Sequence, residues 1–423
     1  MNNMTADGCV GSERTEGAAP TIKNDDRKWT VMVFMGADTI AGNAPLHGAV
    51  QADLEEMAFV GSGESLNIFV QVHGQGVPRR YHIGVDKGQD VPDSQRNTAG
   101  GRALAHFIET SLMKVGHRRQ DHSMLVLWGH AYDFAIGRAQ TRSGAIDALD
   151  FAELSEVLRA LQDKMLEKYG GGERPTLDVV GFDACDLSTV EMACQLQPFA
   201  RYLLASQIGI PIPGWPYDRI LYRLRHPIGR LMVPAEFGSW VVRRFCESYP
   251  ASDPVSLTLL DLNRARELFA YAEFLALTLA CAIGNPDARE RIADSFSGSQ
   301  TEERKPFVDV ADLCLHLVRH SGDAFVIEAA RALGDFLISP WPPLVGCSHT
   351  GKGRPFVVEH GRNSGHAARL NGISLYAPHV ARDNDFDAAR DLYHNFTFAQ
   401  ETCWSELVHT LARLGETGSQ EAS

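Results

Sequence analysis

Two stretches of the chain decide its fold: 124-MLVLWGHAYDF-134 and 177-LDVVGFDACDLSTVE-191. Each begins with a short, almost continuously apolar run and then becomes abruptly polar. Strands that are buried on both faces have this composition, and they are typical of the parallel sheets of α/β proteins. We therefore predict two buried parallel strands, each followed by a polar turn.

The same pattern recurs along the chain, separated by segments with helical periodicity. The predicted strands are 29–35, 66–72, 78–84, 123–128, 177–182, 202–206, 255–260 and 373–376. The predicted helices are 46–60, 102–115, 150–169, 264–282, two within 306–338, and 401–414. This alternation predicts an α/β fold with a mainly parallel central sheet flanked by helices.

The region around residue 150 contains one strong signal and one weak one. Asp150 followed by Glu153 resembles a helix cap, so we expect the helix to begin there. The preceding segment, 137–148, has no hydrophobic period and holds Arg138 and Arg142 beside small residues. It is predicted to be an exposed loop.

Composition and charge narrow the classes of function. The chain has 423 residues, with 40 Lys and Arg against 53 Asp and Glu, for a net charge of −13. Proteins that bind the phosphates of nucleic acids carry an excess of clustered Lys and Arg. This chain has an acidic excess instead, so we predict no nucleic-acid partner. The eight cysteines include no Cys-x-x-Cys pair, so we predict no metal site and expect reduced thiols.

Targeting signals are also missing from the sequence pattern. The first 28 residues contain no apolar run of the kind that forms a signal-peptide core, and no later run reaches the length of a membrane span. We therefore expect a cytoplasmic protein that does not associate with membranes. The expected division is a tail at 1–28, a domain at 29–250 that holds both stretches quoted above, a carboxyl-terminal region at 251–415 packed on that domain, and a tail at 416–423.

His130 and Cys185 each follow one of the two buried runs. The carboxyl ends of parallel strands line the ligand crevice of open α/β sheets, so both side chains would face one site if their strands are neighbours. A thiolate is a strong nucleophile, and a nearby imidazolium favours it and can protonate a leaving amine. The backbone N–H groups of Ala131 and Cys185 would stabilise an oxyanion. If Leu187 began the next helix, its dipole would favour the thiolate further.

A purely structural interpretation stays open at this point. A cysteine at a strand end is often a small core residue, and a single histidine beside it often donates to a backbone carbonyl.

Several longer pieces of sequence resemble the clostripain family of caspase-like cysteine peptidases. They are FMGAD at 34–38, LWGHAYDF at 127–134, DALDFAELSEVL at 147–158, VVGFDACDLSTVEMA at 179–193, YLLASQIGIPIPGWPYDRIL at 202–221, PFVDVADLCLHL at 306–317 and NGISLYAPH at 371–379. The resemblance implies a caspase-like α/β sandwich with a mixed α/β carboxyl-terminal extension. It also implies that His130 is the general acid and base, that Cys185 is the nucleophile, and that cleavage follows Arg or Lys.

The resemblance implies further properties of the site. The family's specificity pocket is lined by the Asp two residues before the cysteine, which is Asp183 here. Family members are cut during maturation at the position of the 137–148 segment, so Arg138 and Arg142 are candidate self-cleavage sites. We predict no cofactor; calcium is implied by the resemblance alone. A peptidase of this class is expected to act on protein or peptide substrates and to be restrained by a regulatory protein partner.

Three residues depart from the family pattern. The family usually has Asn, Gly and an apolar residue where this chain has Gly129, Ala131 and Asp186. An N–H donor held at positive φ would be strained by the Cβ of Ala131 by roughly 1 kcal/mol. These departures leave open an alternative function, a catalytically weak caspase-like module that binds or senses its ligand.

Overall fold

The computed structural model describes twelve segments of the chain. They are residues 27–37, 46–73, 78–91, 101–132, 135–140, 146–169, 176–226, 229–299, 306–338, 355–363, 365–378 and 393–420. The six cysteines within these segments are all free thiols.

A nine-stranded sheet forms the centre of the described structure. Its strands are β1 (Trp29–Gly36), β2 (Leu66–His73), β3 (Arg79–His82), β4 (Gln89–Asp90), β5 (His122–Gly129), β9 (Leu177–Asp183), β10 (Ala200–Ala205), β11 (Ser256–Asp261) and β13 (Val357–Arg362). They lie in the order β13-β11-β10-β9-β5-β1-β2-β3-β4. The five strands from β10 to β2 are parallel, and antiparallel strands extend the sheet on both sides.

Helices cover both faces of the sheet. They are α1 (His47–Val60), α2 (Gly101–Lys114), α3 (Phe151–Tyr169), α4 (Val190–Leu196), α5 (Tyr217–Arg225), α6 (Pro234–Ser248), α7 (Ala265–Ala282), α8 (Pro286–Gly298), α9 (Val310–His320), α10 (Ala324–Leu337), α11 (Thr397–Glu401) and α12 (Trp404–Gln420). In the segments described above, none of these helices is both long and apolar enough to cross a membrane.

The hydrophobic core consists of two clusters separated by the sheet. One contains residues of α1, α5 and α6, and the other contains residues of α2, α3, α4 and α7 to α12. The central strands supply side chains to both clusters, which is why their sequences are continuously apolar instead of alternating. The predicted α/β sandwich with a mainly parallel sheet is confirmed. Because β11 and β13 belong to this same sheet, the chain beyond residue 250 shares the core of the part before it.

Two smaller sheets complete the described structure. β6 (Ala131–Tyr132), β7 (Ala135–Gln140) and β8 (Ile146–Asp150) form an antiparallel three-stranded sheet, while β12 (Phe307–Asp309) pairs with β14 (Ser374–Tyr376). The expectation of an exposed loop at 137–148 is therefore wrong for its described part, which is a hairpin. Pairing between two strands compensated for a sequence without a hydrophobic period.

Other local expectations have mixed outcomes. The Asp150 carboxylate accepts a hydrogen bond from the Glu153 N–H at 2.7 Å, so the predicted cap of α3 is confirmed. The segment expected to extend β2 instead turns back as β3 and pairs with β2 in antiparallel fashion.

Candidate active site

The carboxyl ends of β5 and β9 lie side by side. The two strands are parallel neighbours, and Trp128 is in register with Asp183. His130 and Cys185 each follow two residues after this pair, so the topology brings them to the same edge of the sheet from adjacent strands. The condition for a shared site, that the two strands are neighbours, is therefore met.

The thiol of Cys185 lies against the segment that follows β10. Its Sγ accepts a hydrogen bond from the Ile210 N–H at 3.3 Å and lies 4.0 Å from the Ile210 carbonyl oxygen. The Asp186 N–H donates to the Ile208 carbonyl at 3.4 Å, which links the same two segments again. Cys185 is half-buried. An N–H group that donates to sulfur stabilises a thiolate, so this cradle suits a nucleophilic thiol.

The turn after Cys185 has an unusual backbone. Asp186 has a φ of 60° and is the one non-glycine residue with a positive φ in the described part of the chain. Short polar residues such as Asp tolerate this left-handed conformation better than bulky apolar ones. The departure at Asp186 therefore fits the local backbone of this chain.

Leu187 does not begin a helix, so the condition for a dipole effect of that helix is not met. Helix α4 begins at Val190, and the Thr189 hydroxyl caps it by accepting from the Met192 N–H at 3.1 Å. Ser188 is instead tied to the carboxyl-terminal region: its hydroxyl donates to the Gly372 carbonyl at 2.6 Å, and its own carbonyl accepts from the Ser374 N–H at 2.8 Å. These bonds attach the connection between Cys185 and α4 to the carboxyl-terminal region, and α4 begins five residues after Cys185.

His130 lies between β5 and β6 and is half-buried. The preceding residue is Gly129, and any larger residue there would force the neighbouring backbone to move. Gly129 has a φ of 147°, and a Cβ there would lie 2.7 Å from the Gly36 carbonyl oxygen. Ala131, on the other side of His130, pairs with Ile136 in β6 and does not have a positive φ. The expected strain at Ala131 is therefore absent, since its backbone is that of a strand.

Asp183 ends β9 and is buried, with 5% of its surface exposed. Its Oδ2 accepts hydrogen bonds from the Trp215 N–H at 3.0 Å and from the Tyr217 hydroxyl at 3.2 Å. Burial raises the pKa of Asp183 to about 7, although these two donors oppose the rise. Gly214 makes the close approach possible, because a Cβ at that position would lie 2.9 Å from the same oxygen.

Two further acids lie near Asp183 and were missed by sequence reasoning. Asp53 and Glu56 are on α1, and the Glu56 carboxylate accepts from the Tyr217 N–H at 2.7 Å at the start of α5. Asp53 is 2% exposed and shares the buried face of α1 with Val50 and Met57. An acid spaced three and four residues from the apolar residues Val50 and Met57 was the signal that could have identified it.

The candidate self-cleavage residues are only partly described. Arg138 lies in β7, opposite Ala148 of β8. Arg142 lies outside the described residues. Among the residues that the structure does describe, no group of three or more His, Cys, Asp or Glu side chains is placed to hold a metal ion.

Comparison with known proteins identifies relatives of this fold. A secreted cysteine protease from Bacteroides thetaiotaomicron in complex with an irreversible peptide inhibitor has a TM-score of 0.58 at 15% identity, over 90% of this chain and 99% of that protein. An inactive zymogen protease from Parabacteroides distasonis has a TM-score of 0.55 at 15% identity, over 89% of this chain and 98% of that protein. For the B. thetaiotaomicron protease iotapain it is 0.56 at 12% identity, with coverages of 89% and 99%.

No curated protein matches the chain significantly. The profile of the clostripain family, in contrast, matches residues 33–317, which is well over half of the chain and includes both His130 and Cys185. With the caspase-like sheet, this match shows that the chain belongs to the clostripain family and is a cysteine-type peptidase.

Proposed function

We propose that this peptidase cleaves peptide bonds after Arg or Lys, with Cys185 as the nucleophile and His130 as the general acid and base. The observation that carries the proposal is the position of these two residues, each two residues beyond an in-register pair at the carboxyl edge of the sheet. The family match supports the peptide substrate class.

The proposed reaction proceeds through a thioester. The Cys185 thiolate attacks the scissile carbonyl carbon, and the backbone N–H groups of Cys185 and Ala131 stabilise the oxyanion. The His130 imidazolium then protonates the leaving amine as the C–N bond breaks. His130 next takes a proton from water, which attacks the thioester; the tetrahedral intermediate then releases the acid product and restores the Cys185 thiolate beside the His130 imidazolium.

The proposed specificity comes from Asp183. Its carboxyl group is at the carboxyl end of the strand that leads to Cys185, and no base pairs with it among the described residues. A substrate guanidinium can bind a carboxylate with two parallel hydrogen bonds, whereas a Lys ammonium binds as a point charge. We therefore expect a preference for Arg over Lys.

Turnover of fluorogenic peptide amides tests this proposal. Substrates ending in Arg, Lys or norleucine are compared on the wild-type protein, on Cys185→Ala and on Cys281→Ala, which removes an exposed thiol of α7. We expect hydrolysis of the Arg and Lys substrates that is lost only in Cys185→Ala. Peptide binding without turnover in the wild type would instead favour the weakly catalytic binding or sensing module.

We also propose self-cleavage in the 137–148 segment. One structural relative is described as an inactive zymogen, which supports a maturation step. Arg138 is paired within the β7–β8 hairpin, so cutting after it requires that strand to separate; this favours Arg142. Purified wild type should split into two fragments that are absent in Cys185→Ala and in Arg142→Gln but present in Arg138→Gln. A fully active, uncut wild type would contradict obligatory processing.

Cytoplasmic location and restraint by a regulatory protein are part of the same proposal. The free thiols of the described residues are compatible with a reducing compartment. Fractionation of the native host, followed by detection of the chain in the soluble or exported fraction, tests the location.

A further inference from the structure

Three acids gather beside the carboxyl edge of the sheet, and none of them forms an ion pair with a Lys, Arg or His among the described residues. Asp53 and Glu56 come from α1, and Asp183 comes from β9. Around Asp53, the charged or titratable groups on the packed elements are Glu56, Asp183, Tyr217 at the start of α5, and Tyr249 after α6. All of these groups are acids. Glu56 also faces Asp218 and Arg219 of α5; burial and the charge of Asp218 raise the pKa of Glu56 and outweigh the lowering effect of the Arg219 charge.

The three carboxyl groups differ in what already satisfies them. Glu56 accepts from the Tyr217 N–H, and Asp183 accepts from the Trp215 N–H and the Tyr217 hydroxyl. Asp53 is 2% exposed, and its buried Oδ2 has no hydrogen-bond partner among the described residues. A buried oxygen without a donor is costly, so it points to a group that arrives from outside.

Burial determines which carboxyl group of this cluster stays protonated at neutral pH. Burial, with the nearby charges of Asp183 and Glu56, raises the pKa of Asp53 to about 9, against a smaller opposing effect of a hydrogen bond from the Trp128 side chain. At neutral pH the empty cluster therefore retains a proton that an ordinary aspartate would have lost. A cation that enters the cluster favours the ionised carboxylates and releases this proton to solvent.

We propose that Asp53 is a second specificity-determining acid of the arginine pocket, which holds a proton while the pocket is empty and loses it to solvent when a substrate guanidinium binds. This inference rests on the proposed function. An organic cation fits better than a metal ion, because the described residues form no cluster with metal-binding geometry and a planar guanidinium can donate to two carboxylates at once.

Calorimetric titration of the full chain carrying Cys185→Ala tests the proposal without turnover. The probe is an acetylated peptide ending in arginine amide, measured at pH 7 in two buffers that differ in ionisation enthalpy. We expect proton release when the peptide binds to this protein, and about one proton less per peptide when Asp53→Asn is added. Asp183, with a pKa of about 7, can release part of a proton in both proteins. The matched control is Glu55→Gln, which makes the same carboxyl-to-amide replacement on the exposed face of α1 and should not alter proton release.

Kinetics provide the second readout. In the otherwise wild-type protein, Asp53→Asn should raise KM for Arg substrates by roughly tenfold with kcat nearly unchanged, and should leave norleucine substrates unaffected. Wild-type KM for Arg should fall as the pH rises from 6 to 9, and this fall should be shallower in Asp53→Asn.

Several outcomes would overturn the inference. One is peptide binding to Cys185→Ala with no proton release, which needs no Asp53 variant and so does not depend on how that variant folds. Another is equal release with Asp53→Asn, and a third is the same proton release on addition of calcium chloride alone. If Arg substrates are hydrolysed normally in any of these cases, the proposed function stands; if the wild type neither binds nor hydrolyses them, both fail.

Discussion

Strand β9 carries two buried aspartates with opposite environments. Asp178, near its amino end, is 4% exposed, and Asp183, at its carboxyl end, is 5% exposed. Asp178 lies 3.3 Å from the His122 Nδ1 and 3.5 Å from the Arg201 Nε, and it accepts from the Ser123 N–H at 3.0 Å. Among the described residues, Asp183 has hydrogen-bond donors but no base.

The pKa values of the two groups follow this difference. Burial alone would raise the pKa of Asp178, but hydrogen bonds from His122 and Ser123 and the nearby charge of Arg201 bring it below its ordinary value. Burial raises the pKa of Asp183 to about 7. The two carboxyl groups are equally buried, but only Asp178 has basic side chains beside it. The negative charge at the amino edge of β9 is therefore neutralised within the protein, whereas Asp183 at the carboxyl edge has no cation beside it among the described residues. That asymmetry is what a pocket for a basic side chain requires.

The largest expected effect is a loss of activity that occurs only for variants at the carboxyl edge of the sheet. Cys185→Ala or His130→Ala should each reduce kcat/KM by at least about 10³-fold, because each removes a group proposed to act on the reacting atoms. His122→Ala at the opposite edge should lower the melting temperature but preserve turnover per folded molecule. Steady-state assays with the circular dichroism melt of each variant test this. A loss of only a few-fold in Cys185→Ala would end its assignment as nucleophile.

Asp183→Asn should have the next largest effect, on specificity. A guanidinium that loses its buried charge partner costs about 3 kcal/mol, which corresponds to a decrease of roughly 100-fold in kcat/KM for Arg substrates. Norleucine substrates should change little, and Asp178→Asn should leave the Arg preference intact. If Asp183→Asn retains the full preference for Arg over norleucine, another acid sets the specificity.

Asp178→Asn should instead act on stability. It leaves His122 and Arg201 with a weaker acceptor, so we expect a loss of about 2 kcal/mol at pH 7. Because the folded pKa of Asp178 is lowered, its stabilisation is present above the unfolded value near 3.9 and is lost as the pH falls through the folded value. Urea unfolding at pH 7 and at pH 3.5 should show the difference between the proteins shrinking at the lower pH.

The smallest expected effect has the opposite sign. The folded pKa of Asp183 is raised, so the folded state binds its proton more tightly and stability is lost as the pH rises from about 4 through about 7. Asp183→Asn cannot ionise and should therefore gain about 1 kcal/mol relative to the wild type between pH 5 and pH 6. Thermal melts of both proteins at both pH values measure this difference in stability. If Asp183→Asn instead gained stability relative to the wild type as the pH fell, the claim that Asp183 has no cation beside it would be wrong.

Local sequence determined much of the architecture. Continuous apolar runs identified β5 and β9, because a strand that is buried on both faces has apolar side chains on both. Asp150 and Glu153 located the start of α3, because a helix cap joins groups only three residues apart. His130 and Cys185 could be singled out for the same reason: each directly follows such a run.

Only the tertiary structure decided the rest. The hairpin at Ala135–Gln140 and Ile146–Asp150 exists through pairing between strands, and the start of α4 at Val190 reflects bonds from Ser188 to residues 372 and 374. The order of strands put β5 beside β9, and helix packing brought Asp53 next to Asp183 across the chain. Periodicity and capping act over a few residues and can be read locally, whereas a pKa depends on every group that folding brings near a carboxylate.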